Sequence, residues 1–101
     1  MINLSPNPPA AKIQILVVED EKIIAMNLQE SLETLGYNVV AIAASGEQAI
    51  EKAAQLHPDL VLMDIRLKGK IDGIQATTDI WEQLQIPVIY VTGHSDQATL
   101  E

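Results

Sequence analysis

Apolar residues along the chain form short continuous runs that alternate with stretches in which they recur every three or four positions. Short apolar runs rich in Val and Ile are typical of parallel strands that are buried on both faces. The four runs predict strands at residues 12–18, 37–43, 60–63 and 88–91. The periodic stretches between them predict amphipathic helices at residues 23–35, 47–56 and 74–84.

Each predicted helix has one apolar face and a residue that marks its end. The three faces consist of Ile24, Leu28, Leu32 and Leu35; of Ala49, Ile50, Ala53, Ala54 and Leu56; and of Ile74, Thr77, Trp81 and Leu84. Gly36 is expected to stop the first helix, Ser45 precedes the second, and Pro58 follows it. Asp72 and Gly73 mark a turn before the third helix.

The alternation of strands and helices predicts an α/β fold, with a doubly wound parallel sheet and helices on both of its faces. Crossovers between parallel strands are expected to be right-handed. Residues 1–11 contain Pro6, Pro8 and Pro9, and we expect them to form a flexible tail outside the domain, which then spans residues 12–101.

Composition restricts the class of protein. A length of 101 residues indicates one domain, and the absence of Phe predicts an aliphatic core. The formal net charge of −8 argues against direct nucleic-acid binding, which needs clustered Lys and Arg. The chain has no cysteine, no apolar run that could span a membrane and no signal-peptide pattern, so a cytoplasmic location is expected.

Acidic residues follow two of the predicted strands. Glu19 and Asp20 come directly after the first, and Asp64 ends the third. The carboxyl ends of parallel strands collect functional groups, so neighbouring first and third strands would bring these carboxylates together. Such a cluster normally needs a cation, and oxygen-only ligands favour Mg²⁺. The adjacent Glu21 is more simply explained as the start of the helix.

The runs at 15–21, 58–64 and 87–92, with Asp72 and Gly73 between the last two, resemble the receiver domains of two-component response regulators. The resemblance covers about residues 12–101. It implies a flavodoxin-like receiver fold with strand order 2-1-3-4, and a histidine kinase or phosphotransfer protein as the partner that donates a phosphoryl group.

The resemblance also implies a role for each matching residue. Asp64 resembles the phosphoacceptor. Asp20 and Asp64 resemble direct Mg²⁺ ligands, with Glu19 acting directly or through water. The backbone carbonyl of Arg66 matches the position that completes the metal site, and Thr92 resembles the switch hydroxyl that turns toward the phosphoryl group.

Two departures from the family pattern stand out. Receivers continue through a fourth helix, a fifth strand and a fifth helix, whereas this sequence ends at Glu101, so we expect a truncated receiver that lacks the fifth-strand lysine. Lys68 and Lys70 lie in the loop after Asp64 and cannot simply be assigned that role. Strand four would then be an exposed edge, which predicts a homodimer through it. The loop from Asp64 to Gly73 also lacks the proline that is usual in the family and is one residue longer than the usual loop.

Three other functions compete with that of a phosphoacceptor, which is a signalling role and not that of a metabolic enzyme. A haloacid-dehalogenase-type phosphatase needs a second Asp two residues after the first, where this chain has Arg66. A flavodoxin-like cofactor binder needs a phosphate loop after strand one, where Glu19 and Asp20 would repel phosphate. A pseudo-receiver, which binds or dimerises without efficient phosphorylation, stays open. His57 and His94 are expected to be ordinary loop residues.

Overall fold

A computed structural model describes residues 12–67 and 72–91 of the chain. The elements in this part are β1 (Gln14–Val18), α1 (Lys22–Thr34), β2 (Asn38–Ala43), α2 (Gly46–Leu56), β3 (Leu60–Asp64), α3 (Gly73–Leu84) and β4 (Val88–Val91). Every strand and helix predicted from the sequence is confirmed, with ends that differ by at most two residues. Outside the described residues lie the predicted tail at 1–11, Lys68, Lys70, Thr92 and His94.

The four strands form one parallel sheet in the order β2-β1-β3-β4, which confirms the predicted doubly wound fold. Strand β1 lies between β2 and β3, and its register pairs Val18 with Met63 of β3. The pairing of β1 with β2 shifts by one residue, because Ile15 pairs with Val39 whereas the next residue, Leu16, pairs with Ala41. The extra residue in β2 is a bulge, a device that locally increases the twist of a strand.

The sheet is covered on both faces because alternate residues of β1 point in opposite directions. Leu16 and Val18 belong to the core beneath α2 and α3, whereas Ile15 and Val17 belong to the core beneath α1. The buried hydrophobic side chains in the described part of the chain are aliphatic apart from Met63, as the composition predicted. This packing holds the carboxyl end of β1 rigidly beside that of β3.

The predicted apolar face of α3 is wrong for Ile74 and Trp81, whereas Leu84 packs against the core as predicted. Ile74 is 57% exposed and Trp81 is 49% exposed. The helix instead buries Gly73, Ala76 and Ile80. Small residues at the contact allow the helix backbone to approach the sheet closely, so the buried face is determined by size as well as by hydrophobicity.

The ends of the other two helices also differ from the predicted faces. Leu35 is 72% exposed because it is the C-cap residue beyond the last turn of α1. In α2, Ala54 and Leu56 are exposed near the C-terminal end, whereas Ala49 and Ala53 are buried. Gly36 follows α1 with a φ of 101°, a conformation that favours glycine, which confirms the predicted stop.

Candidate functional site

Three carboxylates meet where β1 and β3 end. Because Val18 is paired with Met63, the next residues along each strand, Glu19 and Asp64, lie at the same level of the sheet. Asp20 follows Glu19 in the loop before α1. One carboxylate oxygen from each of the three acidic residues lies within 4.8 Å of the others. The structure therefore brings together the three acidic side chains that the sequence singled out.

Burial and backbone contacts hold two of these carboxylates in place. Glu19 is 2% exposed and Asp64 is 4% exposed, whereas Asp20 is half-buried. The backbone N–H of Arg66 donates to Asp64 Oδ1 at 2.9 Å. The N–H of Glu21 donates to Glu19 Oε2 at 3.0 Å. Each side chain is thus tied to the loop that follows its own strand.

The electrostatics of the cluster disfavour the charged form of Glu19. Burial raises the pKa of Glu19 from its ordinary value of 4.5 to about 7. The negative charge of Asp64 contributes to this rise in pKa, while the hydrogen bond from the Glu21 N–H opposes it. A proton on Glu19 would relieve the repulsion by letting the carboxyl group donate to Asp64 or Asp20.

The donor set fits a hard divalent cation. Glu19 Oε1 is buried and has no hydrogen-bond partner among the residues that the structure describes. An unpartnered buried carboxylate oxygen beside two other carboxylates is costly unless a proton or a cation meets it. Oxygen-only ligation favours Mg²⁺, which takes one or two carboxylates and keeps other positions for water or phosphate oxygens. Glu19, Asp20 and Asp64 are the residues that would hold it.

The remaining predicted site residues are placed only in part. Arg66 is exposed two residues after Asp64, and the role of its backbone carbonyl as a ligand stays a prediction. Thr92 lies outside the described residues, but it directly follows Val91, which is paired with Asp64. Glu21 is the N-cap residue of α1, which agrees with its interpretation as the start of the helix.

Sequence reasoning missed an apolar pocket beside the acidic cluster. The pocket has a volume of about 290 Å³ and adjoins Glu19 and Asp20. Its apolar wall is formed by Ala25 and Met26 of α1 and by Ile42 of β2. Residues from α1, β2 and the loops next to them form this pocket, so no local sequence pattern signals it.

The sequence profile of the response regulator receiver domain matches residues 15–101. This chain belongs to the response regulator receiver domain family. The match includes all three carboxylates, so the cluster lies within the region that the family shares. The chain is therefore a receiver domain of two-component response regulators, as its sequence resemblance indicated.

Two curated relatives of this receiver domain are regulators from bacteria. The phyllosphere-induced regulator PhyR of Methylorubrum extorquens is 35% identical over 85 residues, which cover 83% of this chain and 32% of PhyR. The transcriptional regulatory protein PdtaR of Mycobacterium tuberculosis is 36% identical over 88 residues, which cover 87% of this chain and 42% of PdtaR. The receiver domain thus spans less than half the length of either relative.

A solved structure has the same fold. The signal receiver domain of a modulated diguanylate cyclase from Desulfovibrio desulfuricans G20 superimposes with a TM-score of 0.77 at 36% identity, over 85% of this chain and 69% of that one. None of the described helices in the present receiver domain is both long enough and apolar enough to cross a membrane.

Proposed function

We propose that this receiver domain accepts a phosphoryl group on Asp64 from a histidine kinase or a phosphotransfer protein, in a Mg²⁺-dependent reaction in the cytoplasm, and that Thr92 then switches the conformation. The observation that supports this function is the position of Asp64. Its carboxylate is held by the Arg66 N–H beside two further carboxylates. A carboxylate is a competent nucleophile that forms covalent phosphoryl intermediates.

The proposed transfer makes one bond and breaks one bond. An oxygen of the Asp64 carboxylate attacks phosphorus, and the bond between phosphorus and the donor's histidine nitrogen breaks. The electron pair of that bond leaves with the imidazole, which takes up a proton. Asp64 then carries an acyl phosphate, whose phosphoryl group has a charge of about −1.5 to −2 and three acceptor oxygens.

An anionic nucleophile that approaches an anionic phosphoryl group needs its charge neutralised. Mg²⁺ bound at Glu19, Asp20, Asp64 and the Arg66 carbonyl would supply this neutralisation. The protein residues fix the geometry: the Arg66 N–H orients the Asp64 carboxylate, and the Glu21 N–H orients that of Glu19. Oriented groups of this kind lower the barrier because they need no rearrangement during transfer.

The proposed switch acts at the carboxyl end of β4. The backbone N–H of Ile65, next to the phosphoacceptor, donates to the carbonyl of Val91 at 3.2 Å. Thr92 follows Val91 in the chain, so its hydroxyl is a suitable donor to a new phosphoryl oxygen. That contact would reposition the segment after β4, so a local change of charge would bias the conformation of a larger part of the domain.

The test uses beryllofluoride with Mg²⁺, which mimics an aspartyl phosphate. We expect wild-type protein to bind it with changes in Trp81 fluorescence or in backbone amide signals, and Asp64→Asn to show neither. Asp79→Asn is the matched control, because it makes the same chemical change on α3, away from the cluster. Equal responses of wild type and Asp64→Asn would instead favour a pseudo-receiver, which binds or dimerises without phosphorylation.

We also propose that β4 is a homodimer contact. Within the described residues β4 pairs only with β3, and its Ile89 and Tyr90 are 51% and 43% exposed. A strand edge with apolar neighbours is a template for pairing with another chain. Analytical ultracentrifugation at high protein concentration tests this contact, and a monomeric mass there would rule it out.

A further inference from the structure

The turn at Asp72 and Gly73 begins α3 and brings it onto the end of β3. Asp72 is the N-cap residue, and its Oδ1 accepts a hydrogen bond from the Gln75 N–H at 2.8 Å. Gly73 is the first residue of the helix and is buried. The cap explains why the chain turns into a helix at this point, but it does not explain why a glycine follows.

Gly73 lies in direct contact with the backbone of the phosphoacceptor. A Cβ atom added at Gly73 would lie 2.7 Å from the carbonyl oxygen of Asp64 and 3.3 Å from the Cα of Ile65. The first distance is shorter than any contact that a real Cβ atom makes. Both neighbouring atoms belong to the backbone, so no side-chain rotation can relieve the overlap. A side chain at this position requires α3 or the peptide between Asp64 and Ile65 to move.

This peptide and the next one along the chain, between Ile65 and Arg66, each donate a hydrogen bond within the site. The Ile65 N–H donates to the Val91 carbonyl, next to Thr92. The Arg66 N–H donates to Asp64 Oδ1. Movement of the peptide between Asp64 and Ile65 therefore moves the donor that orients the Asp64 carboxylate. It also moves the hydrogen bond that joins this segment to β4.

We propose that Gly73 is a positioning residue for the acidic site. Its lack of a side chain lets α3 lie against the peptide between Asp64 and Ile65. This contact sets the Asp64 carboxylate at the correct distance from Glu19 and Asp20 to share a cation. The inference rests on the proposed function, because it concerns the cation that this function requires.

A purely structural role makes a different prediction. If Gly73 serves only the packing of α3, its replacement lowers the free energy of unfolding and leaves the affinity of the folded protein for Mg²⁺ unchanged. Two control variants separate these roles. Ile80→Ala weakens the packing of the same helix, and Asp72→Ala removes its N-cap, and neither adds an atom beside Asp64.

The experiment measures Mg²⁺ binding to the full chain by isothermal titration, together with the amide signal of Arg66. For Gly73→Ala we expect Mg²⁺ affinity to fall by about tenfold or more, as is usual when the groups that support metal ligands are disturbed. The Arg66 amide signal should shift even without Mg²⁺. We expect Ile80→Ala and Asp72→Ala to bind Mg²⁺ as the wild type does, although they are less stable.

A second measurement covers the case in which Gly73→Ala is partly unfolded. Mg²⁺ that binds only the folded state raises the free energy of unfolding by an amount set by its affinity, and urea titrations with and without Mg²⁺ measure that increment. If needed, sucrose in both titrations restores the folded population. An increment smaller than that of the wild type supports the positioning role, and an equal increment overturns it.

Failure of this inference is distinguishable from failure of the proposed function. If wild-type protein shows neither Mg²⁺ binding nor a Mg²⁺-dependent increment, the proposed function itself is wrong and the positioning role falls with it. If wild type binds Mg²⁺ and Gly73→Ala binds it equally well, only the role of Gly73 is wrong.

Discussion

The carboxylates of Glu19 and Asp64 lie side by side at the ends of neighbouring strands, and both are almost completely buried. Backbone N–H groups satisfy one oxygen of each, and Glu19 Oε1 has no hydrogen-bond partner in the described part of the chain. Like charges in a desolvated position destabilise a fold unless a cation or a proton compensates. The folded protein without metal therefore stores an unfavourable interaction that a bound cation would relieve.

Replacement of Glu19 by Gln removes this unfavourable charge. With EDTA at about pH 8, we expect Glu19→Gln to raise the free energy of unfolding by roughly 1–3 kcal/mol, since one unit of pKa corresponds to about 1.4 kcal/mol. In Mg²⁺ we expect Glu19→Gln to have a lower free energy of unfolding than the wild type, because the variant has lost an anionic ligand. Urea denaturation in EDTA and in Mg²⁺ measures both effects. Glu30→Gln, on the exposed side of α1, should leave the free energy of unfolding unchanged both in EDTA and in Mg²⁺.

The raised pKa of Glu19 also predicts a pH dependence in the absence of metal. Its pKa is about 7 in the folded state, against an ordinary value of 4.5, so the folded state binds more protons between these values. The stabilising contribution is complete below pH 4.5 and is lost as the pH rises through 7.

This contribution is isolated by comparing wild type with Glu19→Gln. We expect the free energy of unfolding of wild type, minus that of the variant, to fall between about pH 5 and pH 8 in EDTA. The measurement is a series of urea titrations across that range. A difference that stays constant with pH would contradict the assigned pKa.

The meeting of Glu19 and Asp64 could be predicted in outline from the sequence but not in detail. Apolar runs that end abruptly at acidic residues placed both residues at strand ends, and parallel strands share their carboxyl edge. The pairing of Val18 with Met63, which sets the two carboxylates level, depends on the packing of the whole sheet. The pKa of Glu19 could not be predicted either, because burial is a property of the folded structure.

The buried face of α3 illustrates a limit of hydrophobic periodicity. Ile74 and Trp81 belong to the apolar face that the spacing predicts, and both are exposed. Gly73 and Ala76 carry little hydrophobic signal, yet they face the sheet because they allow a close approach. Backbone contacts such as the one between Gly73 and Asp64 do not appear in any residue pattern.

Two substitutions on α3 test the corrected face. Ile80 is fully buried, so we expect Ile80→Ala to lower the free energy of unfolding by about 2–5 kcal/mol. Trp81 is 49% exposed, so Trp81→Ala should cost clearly less despite the larger number of atoms removed. Urea denaturation followed by circular dichroism measures both. A larger loss for Trp81→Ala would restore the face that periodicity predicts.

The start of α2 carries a reciprocal cap whose contribution can be measured. Ser45 Oγ accepts a hydrogen bond from the Gln48 N–H at 3.1 Å, and Gln48 Oε1 accepts one from the Ala44 N–H at 2.9 Å. We expect Ser45→Ala to lower the free energy of unfolding by about 0.5–2 kcal/mol, because it leaves a helix N–H without its partner.

Thr78→Ala is the matched control. The Thr78 hydroxyl bonds within α3, to the Ile74 carbonyl, and caps no helix end, so its loss should change stability little. Equal losses in the two variants, measured by urea denaturation, would show that the cap at Ser45 does not stabilise α2.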